Sequence, residues 1–201
     1  MNIAGIILAG GLGTRMGYSK KAFIEINGRT IIDRLLSVYR PIFREIIIAA
    51  REKDDFRDME FTVAMDRFDA RSSLTGIHAG LTKMTTSHGF FSACDAPFLQ
   101  AGLVESLLSK VTPDADVIIP LKEDGYREPL CAVYSKRCLK FIEAQLERDD
   151  YKIIQFFEHV NIKEVPVSQL KQDDPDLISF FNVNRPEELA NAEELARKKE
   201  L

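Results

Sequence analysis

A three-layer α/β fold, built on a doubly wound and mostly parallel sheet, follows from two features of the sequence. Short apolar runs without polar alternation recur, as strands buried on both faces require. Segments of helical spacing stand between those runs through the first 120 residues, the pattern of βα units.

Ile3 to Leu8 is the first such run, bounded by glycines, and predicts a buried first strand. A glycine-rich loop, Gly10 to Gly17, follows it. Thr30 to Tyr39 reads as a helix, with Thr30 as its N-cap and Asp33 three residues on. Glu45 to Ala50 and Phe61 to Met65 predict the next strands, and Gly76 to Met84 the helix after them. Gly89 to Cys94 is a fourth strand, Val104 to Val111 a helix, and Ala115 to Pro120 another short strand. Beyond this the alternation loosens. Pro129 to Ser135 reads as a strand, Arg137 to Leu146 as a helix and Val160 to Val167 as an edge strand. Pro186 to Arg197 is a terminal helix, with Pro186 in its first turn.

The chain has 201 residues, a length that predicts one domain, 1–201. Hydrophobic residues make up 45% and charged residues 29%, enough for an ordinary core. A net charge of −4 argues against nucleic acid and acidic membranes as partners. No apolar run approaches membrane-spanning length, and the first nine residues lack the basic start of a signal peptide. Cys94, Cys131 and Cys138 are too few and too scattered for a disulfide framework, so a reducing, cytoplasmic setting is expected.

In a parallel sheet, ligands gather at the carboxyl ends of the strands. The glycine-rich loop, Asp66 and Asp95 each follow a predicted strand directly, so all three belong to one rim. The loop matches neither familiar phosphate-binding pattern. It lacks the Lys-Ser/Thr of a P-loop, and Met16 occupies the third glycine position of the dinucleotide fingerprint. What it offers is a tight backbone turn, Gly10 and Gly11, with Arg15, Lys20 and Lys21 close behind. Arginine can grip two phosphate oxygens at once, and lysine acts as a point charge. The competing reading, a plain turn with solvated basic residues, fits the glycines alone but not this clustering of cations. Asp95 is followed by Pro97 on a stiff turn, a suitable place for one magnesium carboxylate beside phosphates. For Asp66 the competing role of a turn cap is nearly as strong.

Leu8-Ala-Gly-Gly-x-x-x-Arg15-Met-Gly17 with Lys21 resembles the loop of the sugar-nucleotide and molybdenum cofactor nucleotidyltransferases. Cys94-Asp-Ala-Pro-Phe98 is similar to their magnesium-binding motif, and Glu128-Pro-Leu-Cys-Ala132 to a strand of the same families. Phe181-Asn-Val-Asn184-Arg-Pro-Glu-Glu-Leu189 resembles the ending found in the molybdenum cofactor guanylyltransferases, with Arg185 where threonine is usual. The matches run from about Ile6 to Leu189. Departures occur at Ser72-Ser73, where the family has Gly-Pro, and at Ala49-Ala50-Arg51, where relatives often carry asparagine, so no binding residue is transferred there.

The resemblance implies a nucleotide-diphospho-sugar transferase-like, Rossmann-like fold. It also implies a nucleotide-binding half, 1–120, and an acceptor half, 121–201. The implied reaction moves GMP from GTP to the terminal phosphate of molybdopterin or its molybdenum form, with Mg2+ as cofactor. Arg15, Lys21 and Asp95 become the catalytic set, with Asp95 on the metal. Leu8, Ala9, Gly10, Gly11, Lys21, Asp66, Asp95 and Asn182 become the binding set. Asn184 has a competing role as the cap of the last helix. Other cofactor-biosynthesis proteins or acceptor enzymes are the expected protein partners. Cytidylyl transfer from CTP to the same acceptor, and a GTP-binding carrier that does no chemistry, remain as alternatives. Turnover with GTP against CTP separates the first, and GTP binding without pyrophosphate release marks the second. A NAD-dependent oxidoreductase is a more distant alternative, marked by protection from NAD.

Overall fold

A computed structural model describes residues 2–10, 21–52, 56–57 and 59–200. Its centre is a seven-stranded sheet. The strands are β1 (Ala4–Leu8), β4 (Ile46–Ala50), β5 (Thr62–Met65), β6 (His88–Ala93), β7 (Val117–Leu121), β8 (Cys131–Ser135) and β9 (Ile162–Pro166). Their spatial order is β5-β4-β1-β6-β8-β7-β9. Every pairing is parallel except the two that β8 makes, with β6 and with β7. The sheet is thus the mostly parallel one expected, and its last strand sits at the edge as predicted.

Six α-helices accompany these strands among the described residues: α1 (Ile31–Ile42), α2 (Ser73–Lys83), α3 (Ala101–Ser109), α4 (Leu139–Leu146), α5 (Val167–Leu170) and α6 (Pro186–Lys198). One face of the sheet carries α1, α3 and α6, through Leu35, Leu36, Tyr39, Leu103, Leu107, Ala192 and Ala196. The other carries α2 and α4, through Leu74, Ile77, Leu81, Ile142 and Leu146. Alternation along β1 feeds both cores: Ile7 joins the first, Ala4, Ile6 and Leu8 the second. The helix α2 lies close to the sheet because Gly80 has no side chain. A Cβ there would meet the Phe91 ring at 2.7 Å and Ile6 at 2.8 Å.

Local chemistry sets the ends. Thr30 caps α1 by accepting from the Asp33 N–H at 3.2 Å, as the sequence predicts. The helix α2 starts three residues earlier than predicted, at Ser73, because the Ser72 hydroxyl caps it by accepting from the Thr75 N–H at 3.2 Å. Similarly, α3 starts at Ala101 rather than Val104. The predicted last strand gives up its end, where Val167 opens α5. A small hairpin, β2 (Glu25–Ile26) with β3 (Arg29–Thr30), turns through Asn27 and Gly28 at φ 51° and 76°. Its strands are too short to show a period of two, although Asn-Gly is a strong hairpin signal.

The two rims of the sheet now differ in kind. Strands β1, β4, β5 and β6 run in parallel, so Leu8, Arg51, Asp66 and Asp95 all emerge at their carboxyl-terminal rim.

Candidate active site

At that rim three distant stretches of chain meet on one ammonium group. Lys21 begins a single 3-10 turn, Lys21–Phe23, and its side chain is only 15% exposed. Its Nζ donates to Asp95 Oδ2 at 3.1 Å and to Asn184 Oδ1. Asp95, 20% exposed, leaves β6 and holds the third stretch through its backbone: the Val183 N–H donates to Asp95 O at 2.8 Å. Phe98 and Phe181 pack beside this tie, with ring centroids 5.8 Å apart. The two motifs Cys94–Phe98 and Phe181–Asn184 are thus one structural unit.

The adjoining cavity is lined by Leu8, Gly10, Lys21, Asp66 and Asp95 from the expected set. Ala9 stands beside it, its N–H donating to Ala49 O at 2.8 Å and so fixing the path of the chain between β1 and β4. Gly11 and Arg15 lie outside the described residues. Asn182 is exposed and does not line the cavity.

Asn184 corrects the reading of that segment. Its side chain does not cap α6. Glu188 does so instead, accepting from the backbone N–H groups of Asn184 and Arg185 at 2.6 and 3.1 Å. This frees the Asn184 amide oxygen for Lys21. Val183 between the two asparagines is buried and Asn182 is exposed, and contact with Lys21 distinguishes Asn184.

The cavity also includes residues to which the sequence assigned no role: Ala49, Arg51, Arg71, Ser72 and Ser73. A position directly after a strand on the same rim was the available signal for Arg51.

Asp66 is partly buried, and burial pushes its carboxyl above the ordinary carboxylate range. The Thr75 hydroxyl, then Arg51 and His78, act against that. Thr75 Oγ1 donates to Asp66 Oδ2 at 3.1 Å, while the buried Oδ1 has no hydrogen-bond partner among the described residues. Cys94 borders the site but does not offer a nucleophile. Burial, then the adjacent Asp95, pushes its thiol up to about 12.

The Asp95 carboxylate suits a hard divalent cation. One oxygen is engaged by Lys21, and the other accepts from no described residue. A single carboxylate is a usual protein share for magnesium, which takes its remaining oxygens from phosphates and water. The cationic Lys21 and this acidic position together fit a bound polyphosphate and its metal.

A family of MobA-like NTP transferase domains matches residues 5–163 of the chain. A molybdenum cofactor guanylyltransferase of Desulfosudis oleivorans is 40% identical over 191 residues, covering 95% of this chain and 94% of that protein. A probable molybdenum cofactor guanylyltransferase of Natranaerobius thermophilus is 35% identical, covering 99% and 98%. The crystal structure of the molybdopterin-guanine dinucleotide biosynthesis protein A of Archaeoglobus fulgidus superposes with a TM-score of 0.86 at 29% identity, covering 98% of this chain and 100% of that one. With its parallel rim, its Lys21–Asp95 pair and these relatives, the chain belongs to the MobA-like NTP transferase family and is a nucleotidyltransferase of the molybdenum cofactor guanylyltransferase group.

Proposed function

We infer that this enzyme transfers GMP from GTP to the terminal phosphate of molybdopterin or its molybdenum form. The observation that carries the placement of the reaction is the convergence of Asp95 and Asn184 on Lys21 Nζ at the carboxyl-terminal rim.

An acceptor phosphate oxygen attacks the α-phosphorus of GTP. The new P–O bond forms as the bond from that phosphorus to the bridging oxygen of the β-phosphate breaks, and pyrophosphate leaves with that electron pair. A phosphate monoester is anionic near neutral pH, so the attack asks no side chain to remove a proton. The work left to the protein is alignment and charge neutralisation. Lys21 neutralises phosphate oxygens, and Asn184 holds its ammonium in place without adding charge. Asp95 would hold magnesium, which supplies further positive charge to the triphosphate when bound. Gly10 lets the backbone approach the nucleotide, and Asp66 serves its nucleoside side. Arg15 is assigned to the phosphates and Gly11 to the backbone cradle on the loop resemblance. Asn182, exposed beside Asn184, is kept for the acceptor side.

The product serves enzymes that carry a guanine dinucleotide cofactor, so those acceptors and other cofactor-biosynthesis proteins are the partner class. The three cysteines are free and buried, which fits the reducing cytoplasm.

The test is pyrophosphate release by the purified protein with molybdopterin, magnesium and either GTP or CTP. Release with GTP, absence with CTP and loss on chelation are expected. Release with CTP alone overturns the choice of nucleotide. Binding of GTP with no release overturns catalysis.

A further inference from the structure

Two cations of the cavity, Arg71 and Arg51, have no part in the phosphate transfer described above, and Arg51 is the one that a strand end places. It follows β4 directly, and Asp66 follows β5. Those strands are neighbours, in register from Ile47 beside Thr62 to Ala50 beside Met65. Arg51 and Asp66 therefore leave the sheet side by side and line the same cavity. Asp95 follows β6, which is separated from β4 by β1. Two strand spacings, about 10 Å, thus lie between the Asp95 position and the Arg51 position. A nucleotide with its phosphates at Lys21 and Asp95 would have Arg51 and Asp66 within reach of its nucleoside, since all four line one cavity.

The Arg51 side chain lies near Gly10 and makes one hydrogen bond. A Cβ on Gly10 would lie 3.8 Å from Arg51 Cγ, so the stem of Arg51 runs close to that glycine. Its Nη1 donates to Asp69 O at 3.1 Å, and among the described residues no other acceptor takes a hydrogen bond from it. A guanidinium carries five N–H donors in a fixed plane, so a fork remains for a ligand. Beside it the Asp66 Oδ1 is a buried acceptor without a partner among the described residues. Such an orphan is costly unless a ligand satisfies it.

A guanidinium and a carboxylate that line one cavity supply a donor fork and an acceptor, a combination that matches one base well. Guanine shows two acceptors, O6 and N7, along one edge, and a donor at N2 on the adjoining edge. Adenine puts an amino donor where guanine has O6, so the guanidinium would face a donor. Cytosine has no N7.

We propose that Arg51 is a specificity-determining residue that reads the O6/N7 edge of guanine. The proposal rests on the placement of the nucleotide given above. In its favour, arginine meets guanine O6 and N7 bidentately, and its planar fork is not interchangeable with a lysine ammonium at such a site.

The experiment compares GTP with 7-deaza-GTP, which keeps O6 and replaces N7 by a C–H group. Wild type, Arg51→Ala and Arg51→Lys are assayed by pyrophosphate release with molybdopterin and magnesium, and thermal unfolding checks that the variants fold. The wild type is expected to lose about tenfold in kcat/KM on the deaza analogue. Arg51→Ala is expected to lose about tenfold on GTP, chiefly through KM, and to show almost no further loss on the analogue. Arg51→Lys retains the charge and tests the fork. It too should lose most of the difference between the nucleotides. A residue that only neutralises phosphate, or only supports the loop, leaves the deaza penalty as large in the variants as in the wild type. That result overturns the proposal, as does equal use of both nucleotides by the wild type. Asp95→Ala runs alongside. If it retains turnover, the placement of the reaction fails, and the coupling between Arg51 and N7 still decides the base contact by itself.

Discussion

Two acidic residues at opposite rims of the sheet look alike by exposure and differ in what surrounds them. Asp95 follows β6 at the carboxyl-terminal rim, and Asp116 precedes β7 at the other. Their side chains are 20% and 14% exposed, and each pairs with a cation. Asp116 uses both oxygens on its own fold. Oδ1 accepts from Arg137 Nε at 2.5 Å, and Oδ2 accepts from the Asn161 N–H at 2.9 Å. The same rim is stitched further by His88 Nε2 at 3.0 Å from Ala115 O and by the Ala4 N–H donating to Thr86 Oγ1 at 3.1 Å. Asp95 has one engaged oxygen, and Asp66 has a buried oxygen without a described partner. The satisfied rim holds the strands together. The unsatisfied rim keeps capacity for a ligand.

Substitution should separate the rims sharply. Asp95→Ala is expected to cut turnover by about a thousandfold, the scale for loss of a group that stabilises developing charge. Its melting temperature should stay close to wild type, since the fold asks little of that side chain. Pyrophosphate release and calorimetry on one preparation check both halves of the statement. Substantial turnover with magnesium would remove Asp95 from its role.

At the same rim, Asn184→Ala should cost about tenfold in kcat, because Lys21 loses one of its two partners among the described residues. Asn182→Ala should cost less, since the Asn182 side chain is exposed and does not reach Lys21. A larger loss at Asn182 than at Asn184, in the same assay, would reverse the assignment drawn from the Lys21 contact.

Asp116→Ala tests the opposite rim. Removing a carboxylate that satisfies a backbone N–H and an arginine should cost about 2 kcal/mol, or a fall in Tm of about 5 °C for a chain of this size. The kcat of the folded variant should match wild type. An intact Tm would make the stitched rim an ornament of the fold rather than its support.

How far the sequence alone reaches follows from the same contrast. The rim of Asp66 and Asp95 was legible because the buried parallel strands announce themselves as apolar runs, and each acidic residue stands directly behind one. Lys21 was legible from its cluster of cations behind the glycines. The direction of β8 was not, since an apolar run such as Cys131–Ser135 carries no arrow. The contact of Asn184 with Lys21 joins residues 163 apart in sequence, and no local period encodes such a meeting. Arg51 went unassigned because its neighbours Ala49 and Ala50 depart from the family pattern, while its position depends on the pairing of β4 with β5.

The smallest expected effect concerns the site that is left unsatisfied, and its sign is the sharpest check on the contrast. Burial raises the Asp66 carboxyl above its ordinary value of 3.8 in the folded protein. The folded state therefore binds this proton more tightly than the unfolded state does, and its ionised form costs stability. The stability associated with protonation is fully present below the unfolded value and is lost as pH rises through the folded one. Asp66→Asn, which cannot ionise, should accordingly melt slightly higher than wild type at pH 7, without nucleotide. That advantage should shrink as pH falls towards the ordinary carboxylate range, where wild type also carries the proton. The substitution should at the same time weaken GTP, because the amide offers one acceptor and a donor where Asp66 offers two acceptors. Melting curves at stepped pH read the first effect, and KM for GTP reads the second. An Asp66→Asn protein that melts lower than wild type at pH 7 would place Asp66 with Asp116, as a carboxylate the fold depends on.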